Sequence, residues 1–182
     1  MTEEHEPDWG RIVAEHGPAV WATVLRILQH HEDAQDCYQQ VFLDALRAAR
    51  RSTARNWAGL LVSIATRRAI DRLRERIAAR KRQAESPHSQ AHGPQALSAQ
   101  SFLADATVRE MELCDALRAG LAALPQKQAV AFWLRTVEEL SYAEIAAQLE
   151  IDANQVGVLI HRARAALKSC FADDQPARRE SR

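Results

Sequence analysis

Three groups of side chains in this chain have types and spacings that chemistry can use. The first is His30, His31, Asp33, Asp36 and Cys37, which crowd nitrogen, oxygen and sulfur donors into one short stretch. A metal site is nevertheless not expected there: Cys37 falls on an apolar helical stripe, and no paired His/Cys spacing matches a structural zinc site. The second is a run of twelve Lys/Arg against two acids between Arg47 and Arg82. Such a block is the electrostatic footprint of a nucleic-acid partner. The third is Asn154, Gln155, Gly157 and Val158, followed by His161, Arg162, Arg164 and Lys168. Asn and Gln bind adenine edges bidentately, and Val touches a thymine methyl. Gly157 permits close backbone approach at a helix cost of ~1 kcal/mol. The later cations suit phosphates better than bases. No glycine-rich phosphate loop, nucleophile motif or catalytic constellation appears, so neither an enzyme nor a cofactor is expected.

The elements that must position these groups are helices. Alanine is abundant, aromatics make up 5% of the chain, and glycine and proline number six each. That composition favours helices over turn-dense sheet. Residues 9–29 read as one helix, with Gly17-Pro18 marking a place where it can break. Over 33–50, Cys37, Tyr38, Val41, Phe42, Ala45, Leu46 and Ala49 form an apolar stripe, and Asp33 is the expected N-cap. Asp33, Asp36, Gln39, Gln40 and Asp44 lie outside that stripe. A basic loop over 50–56 leads to a helix over 57–82, in which Leu61, Ala65, Ala69, Leu73 and Ile77 recur every fourth residue. Arg68, Arg72, Arg76 and Arg80 repeat on the adjoining strip, and the charged far end should project into solvent or onto phosphates.

Residues 83–104 carry Ser, Gln, His, Gly and Pro without an apolar period and read as a flexible linker, with His88 and His92 solvated. Helix resumes over 105–122. Pro125 opens the next helix, which runs to about Thr136. Ser141 with Glu144 three residues on forms a capping box, and Ile151-Asp152 makes a turn before the last helix, capped by Asp152. On that helix Val156, Ile160, Ala163 and Leu167 share an inward face. The segment 124–168 therefore reads as a helix followed by a helix-turn-helix, a unit that sets one helix in the major groove of DNA. The expected fold is all-α: a helical domain over 1–82, the linker, a helix-turn-helix domain over 105–172 and a polar tail over 173–182.

Net charge is zero, but the charge is sorted: nine acids face two arginines in 1–46, the basic block follows, and 83–182 holds thirteen acids against ten cations. The acidic first segment suits a basic protein partner or a solvated face. The polar start is not a signal peptide and no apolar run approaches ~20 residues, so a cytoplasmic protein without membrane insertion is expected. The three cysteines sit in apolar helical patterns and are expected as buried thiols.

The residues that carry a family resemblance are Leu124-Pro125, LSYAEIAAQL over Leu140–Leu149 and HRAR over His161–Arg164, which resemble region 4 of extracytoplasmic-function (ECF) sigma factors. DAQDCYQQVFLDALR over Asp33–Arg47, followed by ATRRAIDRLRER over Ala65–Arg76, resembles their region 2. The resemblance implies a factor that binds the clamp and flap of bacterial core RNA polymerase and directs it to promoters. Carried onto this chain, the polymerase face is Asp33, Asp36, Gln39, Gln40 and Phe42. The −10 element, as it melts, falls to Arg50, Arg51, Arg55, Asn56, Trp57, Arg67, Arg68 and Arg72, a basic track with a ring on which bases stack. Trp57 serves equally well as a core anchor. The −35 duplex falls to Ser141, Tyr142, Asn154, Gln155, Gly157, Val158, His161, Arg162, Arg164 and Lys168.

Family members usually carry Glu where Gln40 stands, often Asn where Arg67 stands, and basic residues flanking a serine where this chain has Gly157-Val158-Leu159. The −35 contact is therefore expected to be less electrostatic, with much of the grip moved to residues 47–82. An anti-sigma partner, which many relatives have, is compatible with this pattern. The nucleoid is the implied location. Two other classes remain open from the residues: a stand-alone helix-turn-helix regulator that binds duplex DNA without polymerase, and a sigma-like decoy that binds a regulator only.

Overall fold

The computed structural model describes residues 7–50, 56–84 and 108–173, with the side chains of 108–110 and 170–173 left aside. Arg51, Arg55, nearly all of the expected linker and the polar tail lie outside the described residues. The described residues form helices only, and no strand occurs among them: α1 (Trp9–Leu28), α2 (His31–Ala49), α3 (Trp57–Ala84), α4 (Val108–Ala123), α5 (Gln126–Thr136), α6 (Tyr142–Leu149) and α7 (Ala153–Asp173). None of these helices is long and apolar enough to cross a membrane.

The first three helices pack on one another. Their shared core is Val20, Val24, Ile27 and Leu28 from α1, Ala34, Val41 and Ala45 from α2, and Leu61, Ala65, Ala69, Ile70 and Leu73 from α3. The fourth-residue stripe on α3 is buried through Leu73, whereas Ile77 emerges at 36% exposure and the basic end beyond it stands in solvent. α1 runs unbroken through Pro18. An interior proline costs about 3 kcal/mol of helix stability, and the burial of four large side chains downstream offsets that local cost. Gly17 is buried against α2; a Cβ there would lie 2.6 Å from the Tyr38 hydroxyl, so the glycine serves close packing rather than a break.

The last four helices form a second cluster around α5 and α7, with Leu121, Ala129, Val130, Leu134, Ile145, Val156, Ile160 and Ala163 buried. α4 lies against α7 so closely that a Cβ on Gly120 would meet Leu167 Cδ2 at 2.6 Å. Its outer face carries Met111 and Leu113, and Cys114 is exposed there, contrary to the buried thiol expected. The apolar residues of α4 nearly encircle the helix, so periodicity alone does not tell which face packs. α3 touches α4, α5 and α6 as well as α1 and α2, and the two clusters meet along it.

Candidate functional site

Two surfaces carry the chemistry-bearing residues. The first is the seam between α2 and α3. α2 begins with His30 as its N-cap, Nδ1 accepting the Asp33 N–H at 3.3 Å. This corrects the expected cap at Asp33. The Asp33 carboxylate is occupied elsewhere: Oδ1 accepts Arg72 Nη2 at 2.7 Å and Nε at 2.9 Å, and Oδ2 accepts Arg76 Nη1 at 3.3 Å. Its side chain is only 10% exposed. Arg76 also donates Nη2 to the Leu28 carbonyl at the end of α1. That carbonyl is one of those a helix terminus leaves unpaired.

The charges on this seam respond to these contacts. The hydrogen bonds and the charge of Asp33 raise the pKa of Arg72 above its ordinary value. Burial, then the nearby Arg80, lowers that of Arg76. Further along, Asp44 binds both Arg47 and Arg68. The expected phosphate-binding arginines Arg68 and Arg72 are thus tied to α2. Among the described residues Arg67 has no ion-pair partner and is exposed. Cys37 is buried beneath this seam, and burial pushes its thiol up to about 12.

The outer face of α2 has a different character. Asp36, Gln39 and Gln40 are exposed, while Phe42 is half-buried with its ring edge-on to Tyr38 at 5.1 Å. At the opposite end of α3, Asn56 Oδ1 accepts the Gly59 N–H at 2.9 Å, so Asn56 caps the helix, a local role the sequence reading passed over. Trp57 is half-buried, edge-on to Trp9 at 5.3 Å, which is the core-anchor alternative in geometric form. Arg50 closes α2 with its backbone N–H on the Leu46 and Ala48 carbonyls and is exposed.

The second surface lies on α6 and α7. Ser141 and Glu144 form the expected capping box: Ser141 Oγ accepts the Glu144 N–H at 3.3 Å, and Glu144 Oε2 accepts the Ser141 N–H at 2.8 Å. These bonds from Ser141 lower the pKa of Glu144 below its ordinary value of 4.5. α6 ends at Glu150, whose φ of 53° is in the left-handed region. Asp152 then caps α7 by accepting the Gln155 N–H at 2.8 Å. Val156, Ile160, Ala163 and Leu167 are buried as expected.

The opposite arc of α7 is open. Tyr142, Ala153, Asn154, Gly157, Val158, His161 and Arg162 line a shallow depression of about 390 Å³. Gly157 is part of its lining; a Cβ there would stand 3.6 Å from the Tyr142 ring, so a methyl fits in ordinary contact. Arg135 holds that ring from behind, its guanidinium carbon 5.7 Å from the ring centroid, and also donates to the Leu140 carbonyl at 3.1 Å. Arg162, Arg164 and Lys168 are exposed and have no ion-pair partner among the described residues. Gln155 is exposed but does not line the depression. Arg135 is the member of this surface that sequence reasoning missed. Its position in the last turn of α5, just before the α5–α6 connection, was the available signal.

Comparison with known proteins fits this division. The family model for Sigma-70 region 2 matches residues 12–78, and that for Sigma-70, region 4 matches residues 114–167. The ECF RNA polymerase sigma factor SigE of Mycolicibacterium smegmatis is 28% identical over 91% of this chain and 62% of its own length. SigW of Bacillus subtilis, also an ECF RNA polymerase sigma factor, is 27% identical over 85% of this chain and 83% of its own. The chain thus spans less than two thirds of SigE's length. A solved structure of the sigma factor RpoE in complex with the anti-sigma factor NepR from Bartonella quintana shares the fold, with a TM-score of 0.52 at 20% identity, over 92% of this chain and 99% of that one. The chain belongs to the sigma-70 family, as a sigma factor of the ECF type with regions 2 and 4.

Proposed function

We propose that this chain binds bacterial core RNA polymerase and directs promoter-specific initiation, its region 2 recognising and melting the −10 element and its region 4 reading the −35 element as duplex. The observation that carries this reading is the open arc of α7. Base-reading Asn154 and Val158 sit at the helix's N-terminal end, with cations behind them and a buried face that fixes the helix in place. In a helix-turn-helix, base edges are read from that end and phosphates are gripped around it. α6 and α7 act as such a unit, with Ser141 and Tyr142 at its edge. The chain supplies no catalytic group; the polymerase does the chemistry.

On region 2, Asp36, Gln39 and Gln40 are the exposed polymerase-facing groups, with Phe42 beside them. Asp33 acts through them by fixing the start of α2 to α3. Arg50, Arg51, Arg55, Asn56, Trp57 and Arg67 form the −10 track, and Arg68 and Arg72 join it only by leaving their carboxylates. An anti-sigma factor is a partner of the structural relative RpoE, and we extend that class of partner to this chain. The protein works in the cytoplasm, at the nucleoid.

Mixing the protein with bacterial core polymerase and a promoter library tests this directly. Promoter-specific transcripts are expected, and absence of binding to core would remove the proposal. Asn154→Ala should change preference at one −35 base pair by about 1–3 kcal/mol. A uniform loss across all sequences would instead assign Asn154 to phosphate. The stand-alone regulator would bind one duplex tightly without polymerase.

A further inference from the structure

We propose that the hollow on the open arc of α7 is a seat for the methyl group at C5 of a pyrimidine, so that region 4 selects thymine or 5-methylcytosine over bases that lack this methyl. Such a seat rests on the duplex-reading role proposed above and names what that role reads at one position.

Asn154, Gly157, Val158 and His161 follow one another at helical spacing and all line the hollow, while Tyr142, the first residue of α6, closes its other side. Two of these walls are large apolar groups left in solvent: Val158 is 49% exposed and Tyr142 41%. Between them lies bare backbone. A glycine inside a helix lowers helix stability relative to alanine, and here neither usual reason for one applies. No glycine among the described residues has a positive φ. Nothing crowds the position either, since a Cβ on Gly157 would meet only the Tyr142 ring, at 3.6 Å. What the glycine leaves is a space the size of a methyl, open to solvent and bounded by a ring edge. A carbon set there is at ordinary contact distance.

The ring that bounds this space is held in place. The Arg135 guanidinium carbon is 5.7 Å from its centroid, and the same guanidinium donates to the Glu139 carbonyl at 3.4 Å and the Leu140 carbonyl at 3.1 Å. The capping box fixes Ser141 just before it. A wall ordered before binding loses less freedom when a ligand is set against it.

The chemistry of the walls selects the occupant. A phosphate oxygen would lose water here and find few donors, and the exposed cations Arg164 and Lys168, later on the arc, suit it better. The apolar group that base edges present in the major groove is the C5 methyl of thymine. 5-Methylcytosine carries the same methyl on the same carbon. Asn154 and Gly157 are three residues apart, about 4.5 Å along the helix, against about 3.4 Å between successive bases of a strand. The methyl therefore belongs to the base pair that Asn154 reads or to its neighbour.

The test uses holoenzyme made from the full chain and bacterial core polymerase, on the −35 elements that the promoter library returns. Each thymine in turn is replaced by deoxyuridine, which differs only by the methyl, and each cytosine by 5-methylcytosine. Competition for promoter complexes gives relative affinities. Loss of the methyl at one thymine should weaken binding about four-fold, the effect of exposing one buried carbon of this size, and other positions should change little. Gly157→Ala puts a methyl of the protein in the same space. The four-fold preference should then fall towards one, while thermal stability holds or rises because alanine favours helix. Val158→Ala should shrink the preference without altering helical circular dichroism. At the cytosine position where 5-methylcytosine is favoured, a gain equal to that of thymine extends the seat to methylated DNA; a gain with thymine alone confines it to thymine, and either supports the seat. Promoter complexes that form normally but ignore the methyl at every position overturn the seat and leave the proposed function standing. A methyl preference that Gly157→Ala leaves intact also overturns it. Absence of promoter-specific complexes removes both.

Discussion

α3 and α7 both carry arginines at helical spacing, and both were candidates for gripping nucleic acid, yet the structure treats them differently. On α3, Arg68, Arg72 and Arg76 turn towards α2 and meet Asp44 and Asp33. On α7, Arg162, Arg164 and Lys168 stay exposed without a carboxylate partner among the described residues. The acidic helix and the basic helix that look like separate electrostatic features in the sequence are two halves of one seam. The charge left to attract phosphate is therefore smaller on α3, and relatively larger on α7, than a residue count implies. Under the proposed function, the cations of residues 47–82 free to meet phosphate do not include Arg68 and Arg72 while these stay paired.

The sharpest way to break this comparison is at Asp33. Asp33→Ala leaves Arg76, itself 20% exposed, without its carboxylate, and strips Arg72 of its strongest partner. The Arg76 contact is largely buried but Arg72 is 46% exposed, so the cost lies between that of screened and of buried pairs, about 2 kcal/mol. A loss of that size in urea unfolding is expected. A loss under about 1 kcal/mol, typical of exposed pairs, would show that the seam is a surface feature.

The same contrast is read next through salt. Replacing Arg162, Arg164 and Lys168 together with Ala should flatten the dependence of log affinity on log salt by about 0.9 for each phosphate no longer neutralised. Thermal stability should barely change. Arg72→Ala should do the reverse, lowering stability while leaving the duplex slope nearly intact. If Arg72→Ala flattens the slope as much as the triple variant does, Arg72 leaves Asp33 to reach phosphate in the complex.

What was legible in the sequence follows from range. The capping box at Ser141, the cap at Asp152 and the buried face Val156, Ile160, Ala163 and Leu167 depend on partners within one or two helical turns, and the structure has all of them. The Asp33–Arg72 and Asp33–Arg76 bonds join residues 39 and 43 apart. No local pattern distinguishes such an arginine from one aimed at phosphate. The cap at His30 was missed because a more usual capping residue, Asp33, stood nearby and was needed for the seam. Pro18 and Gly17 signalled a break that tertiary packing overrides. On α7 the reading succeeded because a long helix with one buried face leaves little choice about what the other face presents.

A smaller effect sharpens the α7 side. Ser141→Ala should cost about 1 kcal/mol, the usual worth of such a cap, and it should cost −35 selectivity too, because Tyr142 follows directly and lines the depression. The pH dependence has a definite sign. The pKa of Glu144 is lowered in the folded protein, so its contribution is present above the ordinary value of 4.5 and is lost as pH falls through the folded value. With the intrinsic pH dependence of exchange divided out, the protection of α6 amides should therefore fall below that pH in the native protein, and fall less in Ser141→Ala, which keeps only the backbone N–H bond to Glu144.

The smallest predicted change is at Asp44, and it decides how permanent the seam is. Arg68 and Arg47 are 43% and 66% exposed, so Asp44→Ala should cost only about 0.5 kcal/mol, the scale of solvent-screened pairs. The functional readout should move the other way. Freed of its carboxylate, Arg68 stands one residue from exposed Arg67 on the same stretch of α3 and adds a cation to the −10 track. Binding to a melted −10 strand should then tighten and become steeper in salt. If it does, the seam is graded: Asp33 anchors the inner end structurally, and Asp44 restrains an arginine that the DNA can use. If strand binding is unchanged, Arg68 does not face the track, and the cations nearest α2 belong wholly to the fold.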